Sequence, residues 1–505
     1  MKQLRMTKVL CFIRQSFHCR IRDIRLSTQR RLLHSDARSS HSRNMYKLSA
    51  ICGGVSLGIG CYVAWTCEPR PLHMHKVLAL SPNTVESLYT NCGTKVSKRQ
   101  AQLENAINYG RELLMRKKDE CGVPGIAVAV TVDGETVWAE GIGYADIENR
   151  VPCGSHTVMR IGSISKPIAM MTVAKLWEEG KIDLDKPIQE YVPSFPKKTV
   201  NNKPVEITLR DLVSHVAGIR HYATAKTDPA ATRSINENST DTASPEFYSN
   251  KKFNTTEQAL EMFKNDPLLF EPGTKYHYTT FGWTLISAAV ESASKEPFAS
   301  HLRRLLKMLG MKNTFLDENE PIIYNRSRFY ARDKSGSLVN TPNVDCSYKW
   351  AGGGLLSTVG DLVLFGNAML YCAQADGAKY KAGYLRPETV HKLWTPHAKV
   401  HNYWRKTSFT SYGMGWRLTE TGENPGGCVE WPAVAMYHTG GSVGGTSALV
   451  LLPSAWDPKE MNKLAQSSSP SPPRGVVVAV IGNVSDADYG NVALGIARQF
   501  AELCS

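Results

Sequence analysis

The stretch "MRIGSISKPIAM" (residues 159–170) sets a serine and a lysine three positions apart, Ser163 and Lys166, at the head of a helix-like run. On a helix that spacing puts both side chains on one face, about 5–6 Å apart at Cβ. A serine hydroxyl is a weak nucleophile and needs a base beside it. Lysine can be that base only where burial or positive neighbours destabilise its ammonium form. The residues around the pair are apolar, as that requires. A helix N-terminus also favours the negative charge that develops on an attacking hydroxyl. A helix cap followed by a solvated lysine would be spelled the same way. The spacing recurs at Ser194…Lys197, Ser249…Lys252 and Ser292…Lys295, all in polar or loop-like text. Company, not spacing, has to decide.

Working outward, "GIAVAVTVDGETVWAEGIGYAD" (125–146) gives two β runs around Asp133-Gly134, a strong hairpin signal. Residues 97–118 read as a charged helix, and the helix opened by Ser163 runs to Gly180. "ITLRDLVSHVAGI" (207–219) reads as a further helix, as do "FGWTLISAAVESAS" (281–294), "STVGDLVLFGNAML" (357–370) with Asp361 near its start, and "YGNVALGIARQFAEL" (489–503). Residues 224–257 are polar and poor in core formers, a surface insertion; "QSSSPSPPRG" (466–475) is a low-complexity loop. "TSALVLLP" and "GVVVAVIGN" are buried-strand runs. The order predicts an α/β chain of the α+β type. One antiparallel sheet, made from both ends of the region 97–505, is flanked by helices, and the middle forms a helical lobe.

The chain has 505 residues and a formal charge of +14. Residues 1–47 carry twelve Lys/Arg against Asp23 and Asp36, so ten of those charges belong to an N-terminal arm. The basicity therefore gives no argument for a nucleic-acid partner of the folded part. The arm is rich in Arg and Ser and nearly free of acids, which are the features of a mitochondrial transit peptide. Residues 48–67 follow without a charge; twenty helical residues rise about 30 Å, enough to cross or enter the inner membrane. Basic residues before the span place the remainder across it, in the intermembrane space. The other reading is a type II anchor of the secretory pathway, favoured by N-x-S/T sequons at Asn238, Asn254, Asn325 and Asn483. Residues 68–96 read as a linker. Five of the twelve cysteines precede residue 68, and the other seven are scattered without a C-x-x-C pair, leaving room for one or two disulfides. His73-Met74-His75 has no acidic partner nearby, and neither a metal nor a cofactor is indicated.

The company of Ser163 is "FEPGTKYHYTTFGW" (270–283) and "YHTGGSVGGTSALVLLP" (437–453). With "GSISK", in this order, they resemble the serine β-lactamase and penicillin-binding-protein superfamily, in its class C-like branch of D-aminopeptidases and esterases. The resemblance spans most of 97–500 and includes "ITLRDLVSHVAGI", "AGGGLLSTVGDL" and "YGMGW". Together with the leader it points to the mitochondrial members of that superfamily in animals. It implies a β-lactamase/transpeptidase-like fold, with Ser163 as the acylated nucleophile and Lys166 as the base. Tyr278 matches the tyrosine of the Tyr-x-Asn box and would pass a proton to the leaving group. Thr280 stands where that box has Asn, and a hydroxyl cannot replace both halves of an amide. His438-Thr439-Gly440 matches the third box, usually Lys-Thr-Gly. A histidine there is mostly neutral at pH 7, so little reliance on a substrate carboxylate is expected. Backbone N–H groups of Ser163 and Gly441 would form the oxyanion hole.

The function expected is a serine hydrolase working through an acyl-enzyme, with a peptide or other small acyl substrate. The resemblance further implies a mitochondrial serine protease tied to lipid metabolism; a homo-oligomer is also expected. An esterase, and a structural protein that assembles between the membranes, are the two alternatives.

Overall fold

The computed structural model describes residues 82–223, 244–375, 380–397, 411–419, 435–454 and 471–504. The basic arm, the apolar segment 48–67, His73 and His75, and residues 224–243 of the insertion lie outside them.

A long helix, α1 (Pro82–Cys121), leads into the hairpin strands β1 (Gly125–Val132) and β2 (Glu135–Asp146). It begins within the stretch read as a linker. The turn is made as its letters require, with Asp133 at φ +50° and Gly134 at φ +81°. A short β3 (Val151–Pro152) adds to β2. The rest of the sheet comes from the far end of the chain. It consists of β4 (Ser411–Tyr412), β5 (Arg417–Leu418), β6 (Met436–Ser442), β7 (Gly445–Pro453) and β8 (Gly475–Gly482). The spatial order is β4-β5-β6-β7-β8-β1-β2-β3, with every pair antiparallel.

Strands β1, β7 and β8 read as unbroken apolar runs because both faces of the sheet are covered. Alternate residues go to different cores. Ala127, Ala129, Leu449, Leu451, Val477 and Ala479 join the core under the helical lobe. Val128, Val130, Val450, Val476, Val478 and Val480 face α1 and the C-terminal helix. There Trp138 of β2 stacks on Phe500 with ring centroids 6.1 Å apart.

The lobe is built around α2 (Ser165–Glu178), which ends just before Gly180 at φ +68°. It is apolar nearly all round because neighbours cover it on most sides; Met170, Met171 and Val173 are fully enclosed. A short α3 (Leu209–Val213), then α4 (Phe281–Ser294), α5 (Phe298–Leu309) and α6 (Val359–Gln374) complete what positions the site, and α7 (Gly490–Ala501) closes the chain. Thr358 caps α6 through the Asp361 N–H. Asp361 itself is buried and accepts from Asn313 N and Thr314 Oγ1, so it joins two segments rather than merely offsetting a helix end.

Three expectations change. The helix read over 207–219 is only Leu209–Val213, opened by a Thr208–Asp211 capping box. His215 at φ +60° and Gly218 at φ +75° then turn the chain out of helical geometry. Its apolar spacing reflects burial in the lobe, not a long helix. The end of the polar insertion is packed: Ser244 and Phe253 are buried, and Glu246 pairs with Arg220 at 2.8 Å. The sequon asparagine Asn483 has no exposure. Its side chain accepts from Gly125 N and donates to Tyr144 O and Ser327 Oγ, which removes it as a glycan site. Cys121, Cys153, Cys346, Cys372 and Cys504 are free thiols.

Candidate active site

Ser163 lies on a single 3₁₀ turn (Gly162–Ile164) that feeds α2, two residues before the regular helix starts at Ser165. Gly162 at φ +48° makes that entry possible. A Cβ on it would sit 2.7 Å from the Gly441 carbonyl oxygen and 2.8 Å from its nitrogen. The serine turn is therefore pressed against strand β6 with only a glycine between. Behind it, Arg160 is locked by a buried pair with Asp317 at 2.7 Å and by donation to Val443 O.

Three distant segments meet at the serine. Lys166 Nζ lies 3.0 Å from Ser163 Oγ, and the Tyr278 hydroxyl donates to the same oxygen at 2.6 Å. Lys166 is fully buried; its Nζ also reaches Gly352 O at 2.5 Å and Thr280 Oγ1 at 3.5 Å. It stands 4.7 Å from the centroid of the Tyr278 ring. Burial above all, then the nearby cations Arg417 and Lys349, hold the Lys166 ammonium well below its usual range. Burial pushes the Tyr278 phenol up to about 12, against a pull from Arg417. Both shifts favour the neutral forms, an amine at Lys166 and a phenol at Tyr278.

In those neutral forms the direction of each hydrogen bond follows. Gly352 O can only accept, so a Lys166 N–H points to it. Tyr278 O–H points to Ser163 Oγ. With Lys166 as the amine, the serine proton points to its lone pair across the 3.0 Å contact. This is the arrangement an attacking hydroxyl needs, with a base in line and a second donor on the same oxygen.

Tyr278 is held by the segment that turns out of α3. His277 N donates to His215 O at 2.8 Å, Thr279 N to His215 Nδ1 at 3.2 Å and Thr280 N to His221 Nδ1 at 3.2 Å. Thr279 Oγ1 donates to Arg220 O at 2.6 Å. Residues 215–221 act as a template on which the tyrosine box is laid.

Ser163, Tyr278, Thr280, Thr439 and Gly441 line one cleft of about 230 Å³. His438 and Gly440 do not. Strand alternation sends Thr439 and Gly441 to the cleft and His438 and Gly440 the other way. His438 has no exposure, and a Cβ on Gly440 would lie 2.0 Å from Ile161 O. Gly440 is therefore a packing glycine between strand and serine turn, whereas a Cβ on Gly441 would meet nothing within 4 Å.

The cleft also has walls that the sequence reading passed over, among them Tyr222, Phe247, Lys349, Gly352 and Arg417. Arg417 donates to Thr439 Oγ1 at 2.9 Å. Lys349 lies over the rings of Tyr348 and Phe247, 5.0 and 5.1 Å from their centroids. None of the described residues lining the cleft is acidic. The carboxylate-binding cation expected to be missing at His438 is thus offset by two others. Arg417 follows "YGMGW" by one position, and Lys349 precedes "AGGG" by two, so the motifs marked the places without naming the charges. Phe247 sits in the polar insertion. Among the described residues no cluster of His, Cys, Asp or Glu is placed to hold a metal ion.

With this geometry in hand, comparison with known proteins gives a consistent result. Residues 111–499 match the family described as Beta-lactamase. The chain is 43% identical over 444 residues to the serine beta-lactamase-like protein LACTB, mitochondrial, of Homo sapiens, covering 78% of this chain and 80% of that one. Among solved structures, EstCE1, a hydrolase with promiscuous acyltransferase activity, superposes with TM-score 0.60 at 19% identity, covering 79% of this chain and 99% of that one. The octameric penicillin-binding protein homologue from Pyrococcus abyssi gives TM-score 0.58 at 23% identity, covering 78% and 76%. The two structures share the fold; the family match and the human relative carry the conclusion that this chain belongs to the beta-lactamase family, among its serine beta-lactamase-like proteins.

Proposed function

We propose that the chain is a mitochondrial serine peptidase that works through an acyl-enzyme on Ser163. Membership of the beta-lactamase family makes it a serine hydrolase in type; the peptide bond, the site roles and the compartment are the reading added here. One observation carries it: a single serine oxygen lies within hydrogen-bond reach of both a buried, charge-crowded lysine and a phenol. Ser163 Oγ attacks the substrate carbonyl while its proton passes to Lys166. The carbonyl oxygen turns to the Ser163 and Gly441 N–H groups. Tyr278 delivers a proton to the departing amine and is replenished by the proton Lys166 took; water then releases the acyl group, its proton passing back to Ser163 Oγ. Arg417 and Lys349 suit an acyl donor that carries an anionic group, and Tyr222 and Phe247 give it an apolar wall. The mitochondrial names of the relatives, the basic arm and segment 48–67 together support delivery to the inner membrane and catalysis in the intermembrane space. The tie to lipid metabolism is the one implied by resemblance.

An esterase is the second reading. Thr280 turns its hydroxyl toward Lys166 and cannot offer both halves of an amide to a substrate. A self-assembling scaffold has the octameric state of the Pyrococcus abyssi homologue in its favour. A serine-directed probe with adduct mapping separates these. Label on Ser163, lost in Ser163→Ala and sharply reduced in Lys166→Ala, is the expected outcome; matched amide and ester substrates then rank peptidase against esterase. A folded chain that takes no label leaves only the scaffold.

A further inference from the structure

Behind the cleft wall runs a buried chain of hydrogen bonds that the mechanism above does not use. Thr279 N donates to His215 Nδ1 at 3.2 Å. His215 Nε2 lies 3.2 Å from the Tyr412 hydroxyl, which lies 3.1 Å from His438 Nε2. His438 Nδ1 lies 2.7 Å from the carbonyl oxygen of Thr439. We infer that Tyr412 is a positioning residue whose hydroxyl holds His215 and His438 in opposite tautomers, and so braces the Tyr278 segment against the Thr439 strand.

The two ends of the chain dictate every proton in it. A backbone N–H can only donate, so His215 Nδ1 is bare and its proton sits on Nε2, donating to Tyr412. A backbone carbonyl can only accept, so His438 carries its proton on Nδ1 and its Nε2 is bare. The Tyr412 O–H must then point to His438. Both ends demand the same hydroxyl orientation, with no vacancy and no surplus. The array is a strut, because no proton can move along it without leaving the Thr279 N–H or the Thr439 carbonyl without its partner.

The surroundings keep it so. His215, Tyr412 and His438 are essentially without exposure. Lys166, Arg417 and His221 face His215 together with His438, and Lys166 and Arg417 face His438; the Tyr276 and Tyr278 rings lie 5.8 and 4.4 Å from His215. Burial and those positive neighbours press both imidazoles well below their usual range, and burial raises the Tyr412 phenol well above its own. The hairpin "YGMGWR" delivers both outcomes at once: Tyr412 and Arg417 are register partners, one feeding the strut and the other the cleft. A charged lysine at 438 has no acceptor for the Tyr412 proton, which gives a physical reason for histidine in this box.

The tautomers can be read without any activity, on the full chain labelled with ¹⁵N-histidine. His215 should show Nε2 protonated and His438 Nδ1 protonated, and neither should titrate between about pH 5 and 8. Equal tautomers, or titration of either ring in that range, overturn the strut. Its catalytic consequence rests on Ser163 being the nucleophile and is tested by the rate at which Ser163 takes a serine-directed probe. Tyr412→Phe leaves one buried donor and one buried acceptor unmatched and should slow labelling about tenfold. His438→Phe should cost a similar factor and the double variant no more, since members of one unit do not add. Wild-type-like labelling of Tyr412→Phe, or additive losses, defeats the positioning role. An unlabelled wild type defeats the hydrolase reading instead, and the wild-type tautomers then decide the strut alone, as they do should Tyr412→Phe not fold.

Discussion

Arg417 donates to the Thr439 hydroxyl at 2.9 Å, so the cation at this end of the cleft comes from the strand beside the one that bears the Thr-Gly box. A lysine in the box would have placed its charge from the same strand. Here histidine is buried in the strut, and arginine reaches the cleft from β5. The site has kept a positive wall while changing which residue supplies it.

That arrangement predicts substrate discrimination. A charge-assisted hydrogen bond contributes about 1.5–3 kcal/mol, roughly tenfold to a hundredfold in affinity. Arg417→Leu should raise KM by that factor for a substrate with a carboxylate next to the reacting acyl group. For a neutral analogue KM should change little. Equal losses on both substrates would show that Arg417 shapes the cleft without reading charge.

The acid limb of the pH–rate profile should belong to Lys166. Burial first, then Arg417 and Lys349, depress its ammonium form. Activity therefore rises with pH as Lys166 loses its proton, and the limb lies well below the ordinary lysine range. Lys349→Met removes one like charge, so Lys166 holds its proton to higher pH and the limb moves upward. A limb that stays in place assigns the ionisation to another group.

Removing Lys166 should move stability and activity in opposite directions. The folded chain binds fewer protons at Lys166 than the unfolded chain does at any pH between the lowered folded value and the ordinary 10.5. The contribution of this residue to stability thus rises with pH through that window. At neutral pH the buried lysine is a cost, and Lys166→Met removes it. The variant should be inert toward the serine probe yet more stable, by roughly 1–3 kcal/mol. The stability difference from wild type should shrink as pH rises, and a Tm series across pH reads both. A destabilised variant with an unchanged pH slope contradicts the argument.

Much of this was legible in the letters for definite reasons. Strands β1, β7 and β8 announce themselves because a sheet covered on both faces needs continuous apolar runs. Asp133-Gly134 demands a tight turn, and Ser163 and Lys166 meet because three residues is one helical turn. Other features depend on tertiary position. His438 and Thr439 are neighbours in sequence but face opposite sides of β6, so a motif that names both cannot say which one the substrate meets. Lys349 and Arg417 are ordinary surface letters until the fold turns them inward. Phe247 was hidden because its polar surroundings pack against Arg220 and Tyr348 through Glu246.

The adjacent glycines of the box give the sharpest contrast between packing and binding. At Gly440 an alanine methyl would lie 2.0 Å from Ile161 O and 2.3 Å from Ser447 Oγ. Neither can retreat easily, since Ile161 belongs to the entry to the serine turn and Ser447 already donates to that same carbonyl at 2.7 Å. Gly440→Ala should therefore push β6 off the turn, lowering Tm by several degrees and abolishing Ser163 labelling together. At Gly441 the same methyl meets nothing within 4 Å and projects toward the cleft. Gly441→Ala should keep the wild-type Tm and still accept a small probe at Ser163, while KM for a full-sized substrate rises. If both variants fold equally well, the strand does not lean on the serine turn as described; if both unfold, Gly441 does not open to the cleft.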